Sequence, residues 1–202
     1  MQASAWSRFW SRFVAAPEPS LAHQLYERLV RHARFPVYYD ACGVPDTPEG
    51  RFEILALHVG LAVRRLYGLG QDGEAAGQAL FDIMIADLDT NLRELGVGDL
   101  SVGKQVKRLA GQFYARLAVL NEAFDDGRIE ALPVMIRSNV YGSAMPPDGP
   151  QSVDRLVAIV RTLAASFDHQ PKDDILAGRL DLPDEHDLIA MTAPQAAAHA
   201  RA

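Results

Sequence analysis

Six histidines, four acids on one helical stretch and a basic cluster just after it are the side chains here that could do chemistry. The histidines are His23, His32, His58, His169, His186 and His199. None sits in an H-E-x-x-H pair, which would place two ligands and a base around zinc, and no Glu-x-x-His pair offers di-iron ligands. His58 lies inside the most apolar stretch of the chain, Ile54 to Val63. A histidine so placed can ligate haem iron. The plainer expectation is a core imidazole held by one hydrogen-bond partner. The acids are Asp82, Asp87, Asp89 and Glu94. Asp82 and Asp89 fall two turns apart on one side of a helix, and paired carboxylates can do acid–base work. Asp89 can instead pair with Arg93 at i+4, and a solvated polar face accounts for the group more simply. Lys104, Lys107 and Arg108, with Arg116 two turns on, form a basic cluster that can meet lipid phosphates, RNA or an acidic partner.

Residues Gly68 to Gly73 match G-x-G-x-x-G literally. That fingerprint works only where a strand enters and a helix leaves, so that the helix N-terminus faces a pyrophosphate. Here a helix enters, and a glycine turn is expected. There is no G-x-S-x-G elbow and no P-loop lysine pattern, and Cys42 has no motif around it. No local pattern supports an enzyme.

The elements that must position these residues are helical. The chain has 202 residues, 49% hydrophobic and 23% charged, which fits one soluble globular domain. The net charge of -6 argues against wrapping DNA, which needs a basic stripe to displace counterions. A single cysteine allows no disulfide within the chain. Ile54 to Val63 is too short for a spanning helix, which takes about 20 residues, so it reads as a buried core helix. No secretory signal is evident at the N-terminus. Instead, Trp6, Phe9, Trp10 and Phe13 fall at i, i+3, i+4 and i+7, with Arg8 and Arg12 beside that face. Such a face suits a helix lying in a membrane surface. The alternative is that these aromatics close over the domain's own core.

Ser20 can cap a helix carrying Leu21, Leu25, Leu29 and Val30. Val37 to Asp46 reads as a loop. Thr47-Pro48 starts the next helix, which runs to about Tyr67 and is apolar on all sides, so it should be central and buried. Two well-patterned helices follow. One carries Phe81, Ile85, Leu88, Leu92 and Leu95 and stops at Gly96, a left-handed cap position. The other, capped by Asp99 or Ser101, carries Val102, Val106, Leu109, Phe113, Leu117, Leu120 and Phe124. The short link between them implies an antiparallel pair. A helix is expected from Arg128 to Ser138, a loop from Tyr141 to Pro150, a helix capped by Ser152 that buries Val153, Leu156, Val157, Val160, Ala164 and Phe167, and a short helical piece including Ile175 and Leu176. The prediction is an all-α fold of six to eight helices in one domain. An N-terminal amphipathic segment spans 1–16, the helical domain 17–182 and a C-terminal tail 183–202.

The stretch from Phe81 to Arg116 reads FDIMIADLDTNLRELGVGDLSVGKQVKRLAGQFYAR. Its densest parts are Asp87-Leu88-Asp89, Leu92 to Leu100, and Val102-Gly103-Lys104. It resembles the ubiquinol-cytochrome c chaperone family, whose mitochondrial members help assemble cytochrome b into the bc1 complex. The helix from Phe52 to Tyr67 also looks like that family. Ala115 departs from the pattern, where glycine is expected in Phe-Tyr-Gly-Arg. The resemblance carries no catalytic chemistry. It implies a binding protein, without cofactor or metal, that holds cytochrome b or its nascent chain, with a ribosome or a co-chaperone as further partners. The acidic, compact chain looks like a bacterial member, cytoplasmic or peripheral on the inner face of the cytoplasmic membrane. Among the family-like residues, Gly96 and Gly98 should make a tight turn beside Gly103, Asp99 should cap, and Arg93, near Asp87 and Asp89, should tie the turn to its neighbour. The expected partner face is Lys104, Lys107, Arg108 and Arg116. Two rival readings remain at this point: a haem-handling protein using His58, and a ribosome- or RNA-contacting adaptor.

Overall fold

A computed structural model describes residues 20–142 and 146–192. Trp6, Phe9, Trp10 and Phe13 therefore lie outside the described residues. Among the described residues there are nine α-helices and no strand. They are α1 (Leu21–Ala33), α2 (Val37–Asp40), α3 (Pro48–Tyr67), α4 (Gln71–Glu94), α5 (Asp99–Phe124), α6 (Ala131–Ile136), α7 (Pro150–His169), α8 (Lys172–Leu176) and α9 (Glu185–Thr192). A π-helical turn, Arg137–Tyr141, continues α6. The number of helices exceeds the expected six to eight because α2 is little more than one turn, too short for periodicity to reveal, and α9 lies in the expected tail, while the short piece expected at Ile175 and Leu176 is α8.

α3 is the hub. Thr47 Oγ1 accepts the Gly50 N–H at 3.2 Å, Pro48 occupies the first turn, and Arg64 and Arg65 lie in the last. This is a capped helix with charges matched to its dipole. Its side chains are buried on nearly every side, and it packs against α1, α4, α5 and α7. Such all-round apolarity belongs to an enclosed helix. Arg64, buried at its C-terminal end, ties it outward through Asp168 on α7, at 2.7 and 2.8 Å, and Asp125 just after α5, at 3.2 Å.

The G-x-G-x-x-G run is the turn between α3 and α4. Leu69 N–H bonds the Leu66 carbonyl at 2.9 Å, Gly70 has φ +86°, and a Cβ on Gly73 would stand 2.1 Å from the Leu66 oxygen. The glycines serve a close helix–helix corner, entered by a helix. α4 and α5 then run antiparallel. The Phe81 ring lies tilted 5.1 Å from Phe113 and 4.9 Å from Tyr114, pairing the middle of one helix with the middle of the other.

Three local expectations are corrected. Val37–Asp40 is helical, because Pro36 presets a helical backbone ahead of it. Neither Asp99 nor Ser152 is the cap of its helix. Gly98 and Gly149 hold those positions, and both residues sit in the first turn. The Ser152 hydroxyl instead accepts the Asp148 N–H at 3.2 Å. Residues 183–192, expected as tail, include α9. Leu188 is fully buried there, and α9 packs on α7 and α2.

Candidate functional site

The helix pattern leaves a large cleft, about 660 Å³, between the end of α1, the start of α3, the last turns of α4 and the middle of α5. That is ligand-pocket size. Its apolar walls are Val30, Leu55, Leu88, Leu92, Leu95 and Leu109. All but Leu95 are half-buried; Leu95 is 66% exposed. Arg34, Arg51 and Arg108 stand on its rim, and Asp87, Glu53 and Arg116 line it deeper.

The inner end rests on a buried ion pair. Arg116 Nε donates to Glu53 Oε2 at 2.5 Å, a second guanidinium nitrogen donates to Oε1, and Nη1 donates to the Gln112 carbonyl at 2.7 Å. Burial pushes the Glu53 carboxyl up from its ordinary value, and the guanidinium opposes that push. The Phe52 ring lies 5.9 Å from the same guanidinium. Along the wall, the Tyr26 hydroxyl donates to Asp87 at 2.7 Å, fixing α4 against α1. Burial and that carboxylate raise the phenol's pKa, so it stays the donor.

Where α4 meets α5, the chain turns at a protruding tip. Gly96 has φ +79°, Val97 N–H bonds the Leu92 carbonyl at 3.1 Å, and Gly96 N–H bonds the Arg93 carbonyl at 3.0 Å. These two bonds make a Schellman closure, which needs a left-handed residue where Gly96 sits. Arg93 bridges the turn. Its Nε donates to Asp89 at 2.6 Å and its Nη1 to Asp99 at 2.5 Å. Gly98 and Gly103 are exposed, and Leu100 projects fully into solvent.

The acids of α4 therefore act separately. Asp87 serves Tyr26, Asp89 serves Arg93, and Asp82 accepts from Gln78 at 2.8 Å. No acid–base pair forms among them. Of the expected basic face, Lys104, Lys107 and Arg108 are exposed, and none of the three makes an ion pair among the described residues. Arg108 lines the cleft, with Lys104 one turn nearer the tip. Arg116 is corrected. It is 5% exposed and committed to Glu53, so it belongs to the cleft's foundation.

His58 is also corrected as a haem ligand. It is buried, lines neither the cleft nor the cavity beside Gln170, and has both ring nitrogens engaged inside the core. Burial pushes its pKa down to about 3. The cleft and the Glu53–Arg116 pair were the features that sequence reasoning missed. A signal for the pair existed. Glu53 interrupts an apolar run, and a buried acid demands a partner. Arg116 falls in the stripe of Leu109, Phe113, Leu117 and Leu120, where a solvated cation has no place.

Among the described residues, no helix is long and apolar enough to cross a membrane. Comparisons with known proteins agree on one family. The chain is 27% identical over 161 residues to ubiquinol-cytochrome c reductase complex assembly factor 1 of Drosophila melanogaster, a match covering 77% of this chain and 61% of that protein. The mouse (Mus musculus) protein of that name is 24% identical over 158 residues, covering 77% of this chain and 52% of the relative. The match thus spans between about half and three fifths of these relatives' length. The crystal structure of the Cbp3 homolog from Brucella abortus superposes with a TM-score of 0.73 at 31% identity, over 90% of this chain and 98% of that one. Residues 40–182, which include α3 to α8 and most of the cleft, match the family described as Ubiquinol-cytochrome C chaperone, and the chain belongs to that family.

Proposed function

We propose that this chain is an assembly chaperone of the cytochrome bc1 complex that works by non-covalent binding, and that its client is cytochrome b or the nascent chain of that subunit. The observation that carries the reading is the cleft, with six apolar side chains under a rim of arginines. A client helix waiting for insertion has apolar side chains that must be shielded from water. The cleft has room for a few side chains along one face of such a helix, the helix-in-groove mode of recognition. Leu95 and Leu100 at the α4–α5 tip extend the apolar surface beyond it. Lys104, Lys107 and Arg108 add a positive flank, which favours encounter with acidic loops or anionic lipid headgroups. Arg93, Asp89, Asp99 and Gly96 keep that tip in shape, and Trp6, Phe9, Trp10 and Phe13 hold the chain near the bilayer surface where the client is made. The names of the relatives, each an assembly factor of ubiquinol-cytochrome c reductase, support the same reading.

Deleting the chain in a cell that makes it tests this directly. Assembled bc1 complex should fall while the messenger for cytochrome b is unchanged, and re-expression should restore it. Normal bc1 levels in the deleted cell would overturn the proposal.

A further inference from the structure

The connection between α4 and α5 ends in a side chain with nothing around it. Leu100 is fully exposed in the first turn of α5, and Leu95 ahead of it is exposed as well. Leu100, Lys104 and Lys107 fall at i, i+4 and i+7, so they share one stripe of α5. Val102 and Val106 on the other side of the helix are buried, which turns that stripe to solvent. Gly98 and Gly103 flank it, and a Cβ on either would meet nothing within 4 Å. Leu100, Lys104 and Lys107 lie outside the lining of the cleft, whereas Leu95 and Arg108 belong to it. The tip therefore has a cleft side and an outer side.

The outer side is positive and apolar at once. The chain carries a net charge of -6, yet no acid occurs from Leu100 to Asn121, where Lys104, Lys107, Arg108 and Arg116 lie. Arg116 is committed to Glu53, and the other three make no ion pair among the described residues. Of the acids at the tip, Asp89 and Asp99 are both held by Arg93, and Glu94 stands on the cleft side. Protein interfaces are enriched in Tyr, Trp and Arg and depleted in Lys, and Leu is under-represented among their hot spots. A partner's carboxylate is gripped best by the planar fork of arginine, whereas lysine is a point charge on a flexible stem. Lysines around an uncovered leucine match the composition of a contact with a charged lipid surface.

We propose that the outer side of the α4–α5 tip docks on anionic phospholipid headgroups, with Leu100 entering the bilayer interface and Lys104 and Lys107 meeting the phosphates. The lysine stems lie beside the leucine while their ammonium groups stay at headgroup level. Repulsion of the acidic remainder of the chain makes this tip the part that approaches an anionic leaflet. Leu95 and Arg108 are on the same tip, so the cleft opens beside the bilayer. The contact rests on no particular client, and vesicle binding tests it alone.

The test uses the purified full chain with an environment-sensitive fluorophore on Leu100→Cys. Cys42 is fully buried and stays unlabelled. Vesicles of phosphatidylcholine with phosphatidylglycerol should shift the emission to the blue, and lipids spin-labelled near the headgroup should quench it. Vesicles of phosphatidylcholine alone should do neither, and raised salt should reverse the shift. The same fluorophore on Arg161→Cys, exposed on α7, should not respond. Each base near an anionic leaflet is worth roughly fivefold in affinity. Lys104→Gln with Lys107→Gln in the labelled chain should therefore raise the lipid concentration for half the shift by roughly twentyfold. The proposal is overturned if the chain floats with the vesicles while the Leu100→Cys fluorophore stays unshifted, which puts the contact elsewhere on the chain. It is overturned too if phosphatidylcholine alone gives an equal shift, or if neither vesicle shifts it. A protein trapped in cells by a photoreactive group at Leu100 would, in that last case, mark the face as a protein contact.

Discussion

The Arg116 guanidinium on α5 closes on the Glu53 carboxylate on α3 with two of its nitrogens, and both residues are more than nine-tenths buried. The pair joins the central helix to the helix that forms one wall of the cleft. Its worth lies in being complete. Breaking a buried pair strands a charge, whereas replacing both partners with apolar groups can be nearly neutral.

Arg116→Met or Glu53→Leu alone should therefore cost about 3–5 kcal/mol. The double variant should recover most of that loss. Urea denaturation of the three proteins checks it. Single variants within about 1 kcal/mol of the parent would mean that the pair is hydrated.

Gly96 and Gly98 separate two kinds of glycine. Gly96 has φ +79°, whereas Gly98 has φ -60° and open space around it. Gly96→Val should cost more than about 1 kcal/mol, because a β-branched residue is strained in the left-handed region. Gly98→Ala should change stability by less than about 0.5 kcal/mol. Equal effects at the two positions, read from urea midpoints, would refute the turn geometry.

The buried imidazoles give a pH dependence. Burial lowers the pKa of both His32 and His58, the latter from 6.5 to about 3. Below pH 6.5 the unfolded chain takes protons that the folded core refuses, so their contribution is complete above that pH and is lost as pH falls toward about 3. The slope is at most about 1.4 kcal/mol per pH unit per histidine. His58→Gln should narrow its stability gap to the parent between pH 7.5 and 5. A gap that stays constant over that range would contradict the assignment of a neutral core histidine.

Reversing the exposed charges, Lys104→Glu with Arg108→Glu, should leave stability within about 1 kcal/mol. It should weaken client or anionic-vesicle binding, and the parent interaction should fade as salt rises. Binding unchanged in co-sedimentation would remove these residues from the recognition surface.

Much of the fold was legible in the sequence because its long helices carry clean stripes. Thr47-Pro48 marked the start of α3, Gly96 marked the end of α4, and the register of Phe81 with Phe113 follows from a four-residue link. Two short elements were not legible. α2 has too few residues for a period, and α9 is held by tertiary contacts at Leu188 that no local pattern announces. The cleft was hidden for a different reason. Its walls come from Val30, Leu55, Leu92 and Leu109 on four helices, and each looks locally like an ordinary half-buried core position. Arg116 was misread because it was grouped with the basic cluster two turns before it, while its position in the apolar stripe points inward.

The central claim, that the cleft holds cytochrome b, is tested most directly by photocrosslinking from single positions in living cells. A photoreactive amino acid at Leu92 or Leu109, inside the cleft, should trap cytochrome b. The same group at Arg161, exposed on α7 and away from the cleft, should not. Equal yields from the three positions, or no cytochrome b from either leucine, would contradict the account.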